Sequence, residues 1–120
     1  MSLDPGLAGE DYAYLTTTGR RTGRPREIEM WFALRGRTVF LMAGGGDGAQ
    51  WVRNLRADPG VWVRVGDQRR RARARIVGDP EEDRAARDLL VGKYAPRSGG
   101  DLENWGRTGL PVALDLEGPG

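Results

Sequence analysis

The stretch LTTTGRRTGRPR, Leu15 to Arg26, holds four arginines, two glycines and one proline within twelve residues. Strand signal flanks it on both sides, over Tyr12–Thr18 and Glu27–Leu34. The threonines are β-branched and favour an extended backbone. Gly19, Gly23 and Pro25 interrupt the run and turn the chain back. The expectation is a β-hairpin whose tip carries Arg20, Arg21, Arg24 and Arg26. A guanidinium is a fork of fixed donors that suits phosphate or carboxylate. A basic turn that merely faces water has the same composition, so both readings stand at this point.

Outward from the hairpin, Glu27–Leu34 alternates, with Ile28, Met30, Phe32 and Leu34 on one face and Glu27, Glu29, Trp31 and Ala33 on the other. Trp31 on the second face either packs under a helix or walls a ligand cleft. A turn at Arg35–Arg37 leads to a strand over Thr38–Met42. The loop Ala43-Gly44-Gly45-Gly46-Asp47-Gly48 then lets backbone come close to a ligand, though it matches neither a Walker motif nor a dinucleotide fingerprint. Ala49–Ala57 reads as a short helix with Trp51, Val52 and Leu55 inward. A helix opening after such a loop offers free N–H groups to an anion.

Two further strands are expected over Val61–Val65 and Gln68–Val77. The second sets Arg69, Arg71, Arg73 and Arg75 on one face. A polyanion could lie on such a ladder. With no aromatic residue interleaved, a solvated face that discourages edge pairing is the better reading. Asp79 caps a helix, with Glu82 as its capping-box partner. That helix is expected to bury Ala86, Leu89, Leu90 and Tyr94 and to stop at Pro96. Arg97–Thr108 reads as a polar loop containing Trp105, a candidate lid, and Leu110–Leu116 as the last strand. Met1–Glu10 and Glu117–Gly120 read as a loose lead-in and a tail.

The whole is a mainly β chain of 120 residues, one domain over 1–120, with six antiparallel strands closing on themselves and two helices. The modest core makes a homodimer a reasonable expectation, with Trp62 a candidate interface residue. There is no cysteine and no histidine. That removes thiolate chemistry, the commonest zinc ligands and every Ser-His-Asp arrangement. Hydride transfer by a borrowed organic cofactor needs neither residue. No apolar run reaches the length of a membrane span, and no secretory signal is visible, so a cytoplasmic protein is expected.

LTTTGRRTGRPR, EMWF, FLMAGGG and QWVRNLRADPGVWVRV together resemble the deazaflavin-dependent nitroreductase family. These are split β-barrel flavin and deazaflavin oxidoreductases. The resemblance implies a split barrel binding coenzyme F-420, with FMN as the alternative. It implies hydride transfer to a small-molecule acceptor such as a quinone, nitroaromatic or other conjugated compound, and no nucleic-acid partner. By position, Arg20, Arg21 and Arg26 match basic residues near the coenzyme's phosphate and tail. Ala43, Gly44 and Gly45 match the loop along the rings, and Gln50 and Trp51 the helix start. Trp31 matches an aromatic beside the pocket, and Tyr94 a tyrosine near the acceptor with a catalytic role. The sequence departs from the family where Gly45 replaces a common lysine and where Arg97, Ser98 and Gly99 replace further tyrosines.

Overall fold

The computed structural model describes residues 3–98 and 102–117. The strands are β1 (Ala13–Thr18), β2 (Pro25–Met30), β3 (Ala33–Arg35), β4 (Thr38–Ala43), β5 (Gly60–Val65), β6 (Gln68–Ile76) and β7 (Leu110–Leu116). The helices are α1 (Gln50–Ala57), α2 (Pro80–Ser98) and α3 (Leu102–Thr108). All the strands join one sheet in the order β2-β1-β5-β6-β7-β4-β3, with antiparallel neighbours throughout. The fold is the expected mainly β split barrel, with seven strands instead of six and three α-helices instead of two among the described residues.

The extra strand has a simple origin. The segment expected as one strand over Glu27–Leu34 is interrupted at Trp31 and Phe32, which belong to neither β2 nor β3. These two strands stand at opposite edges of the sheet. One extended segment therefore supplies both edges, and the sheet closes through the chain itself. The alternation survives the break. Ile28, Met30, Phe32 and Leu34 pack into the barrel interior, whereas Trp31 and Ala33 face the helical layer.

The break is held by α2. The Phe32 N–H donates to the Tyr94 hydroxyl at 3.0 Å, and Lys93 Nζ donates to the Phe32 carbonyl at 3.0 Å. The Tyr94 hydroxyl in turn donates to the Asp11 carbonyl at 2.8 Å, with the Phe32 carbonyl 3.1 Å away. A peptide group that leaves the sheet ladder must find partners elsewhere; here two consecutive residues of one helix provide them.

Two apolar clusters share the sheet. Inside the barrel lie Leu15, Val39, Leu41, Val61, Val63, Val65, Val112 and Leu114, among others. Outside it, Phe40, Met42 and Ala113 pack against Ala86, Leu90 and Tyr94 of α2, with Trp105 of α3 against them. Both faces of β4 are thus covered, and five of its six residues are buried. On α2 the buried stripe is Ala86, Leu90 and Tyr94, at the spacing of one helix face. Leu89 falls off that stripe and is 39% exposed, contrary to expectation.

Asp79 caps α2 as expected, its carboxylate accepting from the Glu82 N–H at 2.9 Å. The Glu82 side chain, however, does not complete a capping box. It accepts two hydrogen bonds from Arg75, at 2.6 and 2.8 Å. Pro96 sits inside α2, which continues to Ser98. Of the expected loop over Arg97–Thr108, Gly99–Asp101 lie outside the described residues, and Leu102–Thr108 is helical. The lead-in is also ordered by contacts. Leu3 is buried in the barrel, the Asp4 N–H donates to Gln68 Oε1 at 3.0 Å, and Pro5–Gly9 form a 3-10 helix. Met1, Ser2 and the tail beyond Glu117 lie outside the described residues.

Tyr94→Phe keeps the ring but removes the hydroxyl that ties Asp11, Phe32 and α2 together. It is expected to cost about 1–3 kcal/mol of unfolding free energy, read by urea denaturation. Arg75 also binds Asp115, at 2.6 Å, and its hydrogen bonds hold the Glu82 and Asp115 carboxyls below their ordinary values. A depressed carboxylate stabilises the fold above its unfolded pKa, and that contribution vanishes as pH falls through the folded value. The melting temperature of Asp115→Asn should therefore lie below wild type at neutral pH and converge with it as pH falls below the ordinary aspartate value of about 3.9.

Candidate functional site

The β1–β2 hairpin forms as its glycines require. The Gly19 N–H donates to the Arg24 carbonyl and the Gly23 N–H to the Gly19 carbonyl, each at 2.8 Å. Gly23 has φ +72°, a left-handed value that side chains rarely adopt. A Cβ at Gly19 would lie 3.0 Å from Thr22 Oγ1 and 3.1 Å from the Arg24 carbonyl oxygen. The tip is thus a tight loop with its side chains thrown outward.

Beside this tip opens a cleft of about 630 Å³. Its basic wall is Arg20, Arg21 and Arg26, and its apolar part is Ile28 and Trp51. Gln50, Asn54 and Thr17 complete the side toward α1, and Glu27 is the one carboxylate among the lining residues. The hairpin and α1 meet at Asn54, which is only 6% exposed. Asn54 Oδ1 accepts from Arg20 Nη1 at 2.8 Å and from the Arg20 backbone N–H at 3.3 Å. Its amide nitrogen donates to Thr17 Oγ1 at 3.3 Å, and Arg20 Nη2 donates to Gln50 Oε1 at 2.7 Å.

The tip arginines therefore divide into two kinds. Arg20 spends its guanidinium on α1. The guanidiniums of Arg21, Arg24 and Arg26 have no hydrogen bond or ion pair among the described residues. Arg21 and Arg26 line the cleft; Arg24 does not. The first turn of α1 adds free N–H groups, because Ala49 at its N-cap has no side chain to cap them. Asp47, the nearest acid, pairs with Arg56 instead. Such a cleft can hold an anionic group at the cationic rim and a planar apolar body against Trp51.

The remaining expected residues lie elsewhere. Ala43 is buried at the end of β4, and Gly44 lies under Trp105, where an added Cβ would come 3.6 Å from the indole. Neither they nor Gly45 line the cleft. The loop instead needs glycine to turn: Gly46 has φ +62° and opens a 3-10 turn that delivers the chain into α1. Trp31 stacks on Tyr94 with ring centroids 4.3 Å apart and meets Trp105 edge-on at 5.6 Å. Its packing reading holds, and it lines no part of the cleft. Tyr94 is 1% exposed with its hydroxyl committed to backbone. Tyr94, expected near the acceptor, is in this structure a brace in the second core and does not line the cleft. Sequence reasoning missed Asn54, Thr17 and Ile28. For Asn54 the only signal was a polar side chain on the inward stripe of α1, beside Leu55.

Comparison with known proteins agrees with this architecture. Residues 4–117 match the family described as F-420H(2)-dependent quinone reductase. A solved F-420-H2 dependent reductase superposes with a TM-score of 0.68 at 24% identity, covering 98% of each chain. A protein solved as a domain-swapped dimer is 26% identical, with a TM-score of 0.69 over 96% of this chain and 82% of its own. The heme storage protein HutZ of Vibrio cholerae is 18% identical, with a TM-score of 0.70 over 99% and 93%.

Asn54→Ala should loosen the hairpin from α1 without emptying the barrel. It is expected to cost about 1–3 kcal/mol and to speed hydrogen exchange at the Gly19 and Gly23 amides more than at those of β5. Unchanged exchange at the tip would show that the brace does not hold it.

Proposed function

The chain belongs to the F-420H(2)-dependent quinone reductase family, and from that premise we propose that it transfers a hydride from reduced coenzyme F-420 to small conjugated acceptors, quinones first and nitroaromatics among the alternatives. The observation that carries this reading is the pair of guanidiniums, Arg21 and Arg26, that have no partner among the described residues and line the cleft with Trp51 and Ile28. A deazaflavin with an anionic tail has the matching chemistry, cations for its charged end and an apolar wall for its rings. The bound coenzyme supplies the hydride.

The protein's own residues position and shield. Arg21 and Arg26 hold the anionic end, and the uncapped start of α1 at Gln50 and Trp51 adds N–H donors and a favourable dipole. Arg20 braces the tip through two of its donors, to Asn54 and Gln50, and it also lines the cleft. Ala43, Gly44 and Gly45 act by leading the chain into α1. Proton delivery to the acceptor falls to solvent, since the Tyr94 hydroxyl is buried and donates to Asp11. Proximity and orientation can drive such a transfer without an ionisable catalyst. The protein is taken as a homodimer, in line with the dimeric relative at 26% identity.

Fluorescence titration with F-420 and with FMN, followed by addition of menadione, tests the reading. F-420 is expected to bind more tightly and, when reduced, to be reoxidised by menadione only with protein present. Binding of FMN alone, or binding without turnover, would favour a carrier. Arg26→Ala should weaken F-420 binding about tenfold or more, from the loss of about 1.5–3 kcal/mol in a charged hydrogen bond. Its melting temperature should stay near wild type, whereas Arg20→Ala should lower both affinity and melting temperature.

A further inference from the structure

The outer face of the barrel carries segregated charge. Across β2, β1, β5 and β6 the register places Glu29, Tyr14, Arg64 and Arg69 in one row. The next outward row is Glu27, Thr16, Trp62 and Arg71. Carboxylates thus end both rows at β2 and guanidiniums end both at β6. Three strand spacings, roughly 14 Å, keep them from pairing within one protomer. Between them Trp62 is half-buried, with the Arg69 guanidinium 3.9 Å and the Arg71 guanidinium 5.4 Å from its ring centroid. Arg64 similarly lies 4.2 Å over the Tyr14 ring. Farther along β6, Arg75 is already held by Glu82 and Asp115. Among the described residues, Arg71 has only Glu117, at 4.0 Å, as a charged partner.

We propose that this face is where two copies of the chain meet, about a twofold axis running along the strands between β1 and β5. That operation exchanges β2 with β6 and keeps each row opposite itself. Glu29 then faces Arg69 of the second copy, Glu27 faces Arg71, Tyr14 faces Arg64 and Thr16 faces Trp62, each twice by symmetry. A twofold axis across the strands would instead set β2 on β2, carboxylate against carboxylate, and β6 on β6. Only the first axis is complementary, so charge selects the orientation while the Trp62 surface supplies apolar burial. Because Glu27 also lines the cleft, the second copy's Arg71 would stand at the cleft rim. The pairing does not depend on which coenzyme the cleft takes, but it deepens the homodimer reading above.

Sedimentation velocity on the coenzyme-free protein tests it. At micromolar concentration and low salt the wild type should sediment as a dimer that dissociates as salt is raised. The double variants Glu27→Lys with Glu29→Lys, and Arg69→Glu with Arg71→Glu, should each be monomeric, with circular dichroism and melting temperature near wild type. An equimolar mixture of the two should restore the dimer, because both halves of the interface are again complementary. A wild-type monomer at low salt, a dimer surviving in both variants, or a mixture that stays monomeric would each overturn the proposal. So would a monomer whose arginine row instead binds a single-stranded oligonucleotide in a salt-dependent way. Sedimentation reads the pairing and the titration of the wild type reads F-420 binding, so the two readings fail on different measurements.

Discussion

The peptide group of Phe32 sits in no strand, yet the barrel closes there. A curved sheet can end its two edges in solvent, cover them, or join them. This chain joins them, by running β2 directly into β3 through Trp31 and Phe32. The cost is a peptide unit without ladder partners in a buried place. Tyr94 and Lys93 meet that cost with hydrogen bonds to both its N–H and its carbonyl. Trp31, stacked on Tyr94 and meeting Trp105 edge-on, fills the space under the same junction. Helix α2 is therefore a clasp on the barrel as well as a cover for β4, and Asp11 at the entry to β1 is fastened by the same hydroxyl.

Closure decides where the cleft can be. With β2 fixed at its Trp31 end, its other end projects the Arg20–Arg26 tip beside α1, and Asn54 fastens the two together. The bracing uses one arginine and leaves others free. A buried Asn satisfied on both its oxygen and its nitrogen is a rigid joint, because swinging either partner away leaves a buried polar group unpaired. The backbone of the tip that carries Arg21 and Arg26 is thereby fastened beside the apolar wall of Ile28 and Trp51.

The fold leaves much undecided. A heme storage protein and an F-420-H2 dependent reductase superpose on this chain about equally well. The barrel is a frame, and chemistry resides in what lines its clefts. In this chain the lining has neither histidine nor cysteine and offers cations, an indole and helix N–H groups, a set suited to holding a reactive cofactor rather than to acting as one. The arginines themselves serve three purposes according to their neighbours. Arg75 is locked between two carboxylates, Arg69 lies on Trp62, and Arg21 and Arg26 have no hydrogen-bond or ion-pair partner among the described residues.

Much of this was legible in the order of residues. The hairpin at Gly19 and Gly23, the two faces of residues 28–34, the cap at Asp79 and the arginines at the tip all follow from local rules of period, turn chemistry and charge, whereas Gln50 and Trp51 beside them were implied by the family resemblance. Such rules act over a few residues, and a linear pattern carries them intact. The break at Trp31–Phe32, the burial of Tyr94, the helix at Leu102–Thr108 and the role of Asn54 did not follow. Each depends on partners far along the chain: Tyr94 lies 62 residues from Phe32, and Asn54 lies 34 from Arg20. Composition determined that arginines would crowd one turn. Only packing decided which of them remain free, because a guanidinium is available to a ligand only where the fold brings it no acceptor of its own.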